Sequence, residues 1–407
     1  MEHPFSGILV RYAMRQPSST PNPVPTDQDP TEKKLPFLPS PPDQLHVNLW
    51  EVRNPSVLDL GIMIAKWQDI EAIIVDLPWV ITLEHVEDLG SRLESERTVA
   101  AIFNEIVQYE GNEGQQYAQI TFNPTDIHGD ARDDKNNAQR FKLLRLQARA
   151  YSIESITLNR DVRSTRLKIK LPMAGRGIPA SSDSVYLRFR IDKVPQSVYS
   201  SSFALADRNL LSSSTTTRVI DFRINVRRGI PDEILAFHDT LQFPKLEKIH
   251  FFLTIDRTQV CGFESQNFAG CRSLVDEKIW NDYLRTKPHE RKAEAMKQFL
   301  GYQWTASTKV DSTGSKKGVK DLVVLGRFSS HDSNILRTLR FVVLGLIFGM
   351  VGNGLWDVFK PVSGGYLSNL ASQGNALMVL IGLLIVSIVC VLPWSRAWLA
   401  SVFGRRR

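Results

Sequence analysis

Three stretches of the chain alternate strictly between apolar and polar side chains. In residues 166–171, Leu167, Ile169 and Leu171 fall on one side and Arg166, Lys168 and Lys170 on the other. In 185–191, Leu187, Phe189 and Ile191 oppose Tyr186, Arg188 and Arg190. In 218–228, Ile220, Phe222, Ile224 and Val226 oppose Asp221, Arg223, Asn225 and Arg227. A period of two is that of a strand, whose successive side chains point to opposite faces. Residues 249–255 repeat the pattern without basic side chains. One apolar and one polar face per strand predicts an antiparallel sheet or sandwich, with one face on the core and the other in water. Shorter candidate strands lie at 45–52, 71–77, 117–122 and 322–325.

Other periods break the β pattern. Val86, Leu89, Leu93, Val99 and Ile102 recur at roughly helical spacing and predict a helix over 83–105. Residues 273–285 and 289–302 suit a helical pair, and 307–319 reads as a linker. Residues 126–137 form a charged loop. The Pro-rich, polar stretch 16–45 predicts a disordered segment. Before it, 5–14 is mildly apolar and reads as a ragged end, or else as a docking peptide for another subunit. The predicted class is therefore α+β, with a predominantly antiparallel β-sheet or sandwich.

The last 70 residues follow a different rule. The run 338–359 has 22 residues, about 33 Å of helix at 1.5 Å per residue, enough to cross a bilayer. A second run, 376–392, carries no charge, and Pro393 and Trp394 follow it. Together they predict a C-terminal transmembrane hairpin. Arg327 and Arg337 precede the first helix and Arg340 stands in its first turn, before the apolar run that opens at Phe341; Arg396 and Arg405 to Arg407 follow the second. The loop 361–375 has no Lys or Arg, with Lys360 at its edge. This asymmetry places both termini in the cytoplasm and the loop outside. Trp394, Trp398 and Phe403 suit a tail lying among lipid headgroups. Residues 1–15 lack the charged start and apolar core of a signal peptide, so the membrane is expected to be reached through the C-terminal end. The resulting domain plan is 1–44 disordered, 45–305 a cytoplasmic sensor or interaction domain, 306–337 linker and juxtamembrane, 338–359 and 376–394 the two spans around the loop 360–375, and 395–407 a basic interfacial tail in the inner membrane's surface.

The first span is richer than an anchor requires. Gly345 and Gly349 form a small-xxx-small pair, and Gly352 extends the glycine-rich stretch, a composition that lets helix backbones approach closely. Asn353 and Asp357, four residues apart, share a face. They face either a bundle interior or water path, or the outer interface, where polar groups are tolerated. These five residues are the candidate packing and pore positions.

Composition adds little. The chain has 407 residues, 43% apolar and 23% charged, a formal net charge of +7 and three cysteines. Cys261 and Cys271, with no histidine at ligand spacing, suggest neither a zinc site nor a disulfide framework, and all three thiols are expected to be reduced. No phosphate-binding loop, dinucleotide fingerprint, zinc-protease helix or nucleophile elbow occurs. The triplets Asp133-Asp134-Lys135 and Asp276-Glu277-Lys278 resemble a metal-dependent nuclease pattern only in three residues, so no enzyme, cofactor or metal is expected. The strongest candidate chemistry is basic. Arg166, Lys168, Lys170, Arg188, Arg190, Arg223 and Arg227 lie on polar strand faces. If those strands share one sheet, they form a patch suited to phosphate, which arginine grips at two points. Tyr186 would offer a base a stacking surface. The other readings of the same residues are a solvated outer sheet face guarded against aggregation, or a contact for anionic lipid.

A cytoplasmic body, a short linker and a minimal two-helix hairpin, with Gly345, Gly349, Gly352, Asn353 and Asp357 in its first helix, resemble the two-helix membrane effectors of bacterial nucleotide-activated anti-phage systems of the CBASS and Hailong kind. The likeness covers the last 70 residues by pattern and the body by position. It implies a homo-oligomer whose soluble domain receives a nucleotide or oligonucleotide signal and whose assembled helices then permeabilise the inner membrane, because one hairpin alone has no lumen. The alternative expectation is a membrane-tethered scaffold that binds a protein partner and forms no pore.

Overall fold

The computed structural model describes residues 3–16, 40–52, 54–112, 114–122, 139–158, 162–175, 178–179, 183–204, 215–235, 241–274, 276–284, 296–310 and 316–331, and beyond these only 342, 345, 346, 348, 349 and 381. Strands β1 (Leu9–Met14), β2 (Gln44–Trp50), β3 (Ser56–Ile64) and β4 (Ile70–Leu77) come first. β5 (Val86–Asp88) and helix α1 (Glu96–Phe103) precede β6 (Val107–Glu110), β7 (Tyr117–Phe122) and β8 (Gln139–Leu144). Next come β9 (Tyr151–Thr157), β10 (Arg163–Lys170), β11 (Ser184–Val194), β12 (Ser200–Ala204), β13 (Thr215–Ile224) and the short helix α2 (Asp232–Leu235). The remainder holds β14 (Leu241–Gln242), β15 (Lys248–Asp256), β16 (Val260–Glu264), β17 (Phe268–Ser273), α3 (Glu277–Leu284), β18 (Phe299–Ser307), β19 (Lys309–Val310), β20 (Lys316–Lys317) and β21 (Leu322–His331).

Among the described residues the strands build a central sheet of ten, in the order β17-β18-β15-β2-β3-β11-β8-β7-β6 with β5 beside β11, a five-stranded sheet β14-β1-β4-β10-β9 and a four-stranded sheet β12-β13-β21-β16. Pairing is antiparallel except for β15 with β2 and β11 with β8. The body is therefore mostly β with few helices, as the alternating pattern predicts.

One large core joins the three sheets. Leu45, Val47 and Leu49 of β2, Leu187, Phe189 and Ile191 of β11, Ile73 and Val75 of β4, Leu167 and Ile169 of β10, and Ile220, Phe222 and Ile224 of β13 all belong to it. The apolar half of each alternating strand is thus buried where the period places it. The central sheet is covered on its other face as well. There Trp50, Met63, Tyr186 and Phe252 pack with Val99 of α1, with Trp280, Tyr283 and Leu284 of α3, and with Ala118, Ile120 and Phe141 of β7 and β8. A sheet covered on both sides has no solvated face, so its polar positions are forced to find partners inside.

Several expectations change accordingly. The helix expected over 83–105 is confined to α1; residues before it form short 3-10 turns and β5. Ser95 opens α1 by accepting the Thr98 backbone N–H at 3.3 Å, and Asn104 closes it in the left-handed region (φ 57°). The second helix of the pair expected over 289–302 gives way at its end to strand β18, because Phe299 to Ser307 pair with β15 along their length. The apolar segment 5–14 is no ragged end. It becomes β1, paired with β4, and Ile8 bridges to Ile224. Gly7, at φ 84°, permits that approach: a Cβ there would lie 1.8 Å from the Arg223 carbonyl oxygen. The Pro-rich residues 17–39 and the charged loop 126–137 lie outside the described residues.

Residues 208–214 and 332–407 form a separate unit. Of the expected hairpin, positions 342, 345, 346, 348, 349 and 381 are described and helical. Gly352, Asn353, Asp357 and the connecting loop lie outside the described residues. Among the described residues no helix is long and apolar enough to cross a membrane.

Gly61 in β3 is the tightest point of the central sheet. A Cβ there would sit 1.9 Å from the Tyr186 hydroxyl and 3.0 Å from Arg188 Nη1. Overpacking of this kind costs typically about 1–3 kcal/mol, sometimes more. Gly61→Ala is expected to lower the free energy of unfolding by an amount in that range, read from the shift of the urea midpoint; an unchanged midpoint would show that the crossing side chains have room to move.

Candidate functional site

Strand register sets two polar rows side by side on the helix-covered face of the central sheet. Thr305, His250, His46, Gly61 and Arg188 are direct neighbours across β18, β15, β2, β3 and β11. One step along, Gln303, Phe252, Asn48, Asp59 and Arg190 form the second row. Gly61 sits between His46 and Arg188, and its missing side chain lets Tyr186 and Arg188 lean across β3 towards β2.

At one end of the rows lies a buried ion cluster. Arg190 grips Asp59 with two hydrogen bonds, Nε to Oδ1 at 2.7 Å and Nη2 to Oδ2 at 2.9 Å. Trp50 Nε1 and the Tyr283 hydroxyl donate to Asp59 Oδ2 at 2.8 and 2.7 Å. Arg188 donates through Nε to the Tyr283 hydroxyl at 2.7 Å and through Nη1 to the Tyr186 hydroxyl at 3.0 Å. Its Nη2 makes no hydrogen bond and stands 3.9 Å from Asp59 Oδ2. Burial works to raise the Asp59 pKa, but the charges and hydrogen bonds of Arg190, Arg188 and Tyr283 outweigh it and hold the carboxyl below its usual range. Two buried guanidiniums thus share one carboxylate. Glu87, across the ladder from Arg190 and helping to hold it charged, is also paired with Arg92, so two carboxylates face three guanidiniums and one positive charge is left in excess.

At the other end of the rows a cavity of about 80 Å³ opens to solvent. Among the described residues its polar wall comprises His46, Asn48, Asn104, Arg188, His250, Arg272 and Gln303, with no carboxylate. Arg188 connects the cavity to the ion cluster. At the rim, Arg272 donates to Asn104 Oδ1 at 3.0 Å and lies over the Phe252 ring at 5.1 Å, while its Nε has no partner. The histidines are held neutral. Burial pushes His250 down to about 4, helped by the charge of Lys248. Burial also pushes His46 well below 6.5, and His250, Arg188 and Lys248 act in the same direction.

The basic positions expected to form one outer patch are divided among three sheets. Arg166 is buried in the five-stranded sheet and binds Asp76 at 2.8 Å beside Arg11, which binds the same carboxylate at 2.5 Å. Lys168 pairs with Glu71 at 3.3 Å, and Lys170 is exposed at the strand end. Arg188 and Arg190 are buried in the central sheet. Arg223, at the end of β13, pairs with Asp221 on its own strand at 2.8 Å. Arg227 lies 4.1 Å over the Phe243 ring. Tyr186 is fully buried and offers no exposed stacking surface. The expectation of a shared solvated face fails because the central sheet is covered on both sides. Of the seven, Arg188 alone lines the cavity. His46, His250, Arg272 and Gln303 were not signalled by any motif; only strand register brings them together. Among the described residues no group of His, Cys, Asp or Glu is arranged to hold a metal ion.

No family model matches the chain. A fatty acid metabolism regulator protein of Vibrio parahaemolyticus serotype O3:K6 is 25% identical over 107 residues, which is 26% of this chain and 34% of that protein. The chain thus spans about a third of the length of that relative.

Two outcomes follow from the electrostatics. Asp59→Asn leaves two buried guanidiniums without a counter-charge, and breaking a buried pair in this way costs about 3–5 kcal/mol. Urea denaturation should show a loss of that size; a loss below about 1 kcal/mol would mean that the cluster is hydrated. The pH dependence has a defined sign. A histidine depressed in the folded state binds fewer protons there than in the unfolded chain, so its contribution to stability is full above pH 6.5 and falls as the pH drops towards about 4. Asp88, raised to about 7 by burial, acts oppositely over much of that window. The wild-type minus His250→Asn difference isolates the histidine: wild type should lose stability on acidification by up to about 1.4 kcal/mol per pH unit relative to the variant. Parallel stability–pH curves would refute the assignment.

Proposed function

We propose that the protein is an oligomeric membrane effector, a ligand-gated ion channel or pore, whose β-rich body receives a signal and whose C-terminal hairpin acts on the inner membrane, in the manner of anti-phage defence effectors. The observation that carries this reading is the exposure of apolar side chains at helical positions of the C-terminal unit. Val342, Leu346 and Phe348 are 54%, 62% and 68% exposed, and Ile381 is 51% exposed. Large apolar side chains exposed at helical positions in this way call for a cover of lipid or of other copies. Gly345 and Gly349 add a small-residue face with nothing within 4 Å of where a Cβ would stand, which suits close approach of a second helix. The uncharged run 376–392 and the arginines flanking both runs support insertion with both termini cytoplasmic. The cavity in the body supports the receiving role, since a small-molecule site is concave with a few convergent polar groups.

The test is the full chain purified in detergent and reconstituted into liposomes. A closed oligomer by light scattering, together with dye leakage that appears when the body's ligand is added, is the expected result. Gly349→Leu should reduce both assembly and leakage by about tenfold or more, because a branched side chain blocks close helix contact. A monomer that anchors in the membrane and never leaks would sink the pore and leave the tethered scaffold as the better reading.

A further inference from the structure

The cavity at the end of the two polar rows has an electrostatic fault that a ligand of one chemistry would repair. Arg188 is fully buried, leaves Nη2 without a hydrogen bond, and belongs to a cluster with one positive charge in excess. Uncompensated buried charge is expensive, so such a group normally has a partner. Among the described residues of the cavity wall no carboxylate supplies one. Arg272 brings a second guanidinium to the rim from β17, and its Nε is also unpartnered.

The neutral groups of the wall are set as donors. Arg188 Nη1 donates to the Tyr186 hydroxyl, which lies 3.3 Å from His46 Nδ1. The tyrosine proton then goes to Nδ1, which places the ring proton of His46 on Nε2. Gln303 Nε2 lies 3.2 Å from His250 Nδ1. Thr305 Oγ1 lies 3.1 Å from the same nitrogen, so with both the amide and the hydroxyl donating, Nδ1 is the acceptor there too and the His250 proton sits on Nε2. Both rings therefore offer an N–H, and Asn48 and Asn104 add side-chain amides. These donors arrive from β2, β11, β15, β17 and the C-terminal end of α1, that is, from several sides of one small space. About 80 Å³ has room for several waters or one tetrahedral oxyanion.

We propose that this cavity is a phosphate-binding site, which takes the phosphoryl group of a small phosphate ester between Arg188 at its floor and Arg272 at its rim. A phosphoryl group presents three acceptor oxygens in different directions, matching donors that surround the space, whereas a planar carboxylate matches a single fork. The remainder of the ester would lie at the mouth, against Phe103 and Phe252. The inference rests on the reading above only in treating the body as the part that receives a ligand.

The test is calorimetric titration of the full chain in detergent with inorganic phosphate, a nucleoside monophosphate, a sugar phosphate and acetate. Saturable binding of at least one phosphate compound, tighter than acetate, is expected. Arg272→Ala and Gln303→Leu change the rim and wall without touching Asp59, and each should weaken binding by about tenfold or more while melting cooperatively. Preference for either ester over inorganic phosphate identifies the source of the group; equal affinity assigns the site to free phosphate. The proposal is overturned if no phosphate compound binds, if acetate binds as tightly, or if both folded variants keep wild-type affinity within about twofold. Leakage is scored separately: binding without leakage removes the pore and keeps the site, and leakage without phosphate binding does the reverse.

Discussion

The Asp59 carboxylate, held between Arg190 and Arg188 in the middle of the central sheet, is the interaction on which the rest of the body depends. Charged groups taken out of water cost several kcal/mol each unless geometry and hydrogen bonding offset the loss. Here the offset is nearly complete on the carboxylate side: Asp59 accepts from Arg190 twice, from Trp50 and from Tyr283. That arrangement allows α1 and α3 to close over a sheet face that would otherwise have to remain wet. The five-stranded sheet solves the same problem with the same parts, placing Asp76 between Arg11 and Arg166, with the Ile234 carbonyl of α2 accepting from both arginines. Each of these two sheets thus carries an arginine–aspartate–arginine clasp on the face turned away from the shared core.

The two clasps differ in what lies beside them. The arginines at Asp76 adjoin Glu154, which stands 3.7 Å from Arg166 and is largely exposed, so the charge balance there can be completed at the surface. At Asp59 the surplus is carried by a fully buried Arg188 whose neighbours on the open side are neutral histidines and amides. A purely structural clasp gains nothing from such a surplus beside an opening whose described lining carries no carboxylate. A site that must discriminate anions from neutral molecules does, because preorganised positive charge in a partly dry space rewards the correct ligand and penalises its uncharged analogue.

How far the sequence foretells this can be judged from particular strands. The period of two in β10, β11, β13 and β15 places the alternating apolar row of each strand in the core, because burial of one face needs only local alternation. The fate of the opposite face does not follow from alternation. Arg188 and Arg190 look identical, one residue at a time, to the solvated Lys168 and Lys170, and what separates them is a cover contributed by α1, α3, β7 and β8 from distant parts of the chain. Residues 83–105 mislead for a related reason: Leu89, Leu93 and Val99 are all buried in one cluster, but only Val99 is held there by a helix. In 299–302 long-range pairing with β15 overrides a helical spacing. His46 and His250 become neighbours through the parallel pairing of β2 with β15, about two hundred residues apart, a relation that no motif encodes.

The geometry also limits how a ligand in the cavity could be felt elsewhere. A ligand shifts an equilibrium only by its difference in affinity between two states, so some part of its binding surface must be able to change. Arg188 is poorly suited to do so, being fixed by Tyr283, Tyr186 and the Asp59 cluster. The rim is better suited. Arg272 and Asn104 meet through one hydrogen bond across the mouth, and they belong to different elements, β17 at the edge of the central sheet and the end of α1. An anion drawn to Arg188 would compete for the Arg272 guanidinium and so pull β17 inward relative to α1. β17 follows β16 in sequence by a short turn, and β16 pairs with β21, the strand after which the chain enters the C-terminal unit. A floor fixed by several hydrogen bonds suits selectivity, and a rim closed by one hydrogen bond between two elements is where a bound anion would meet the least resistance.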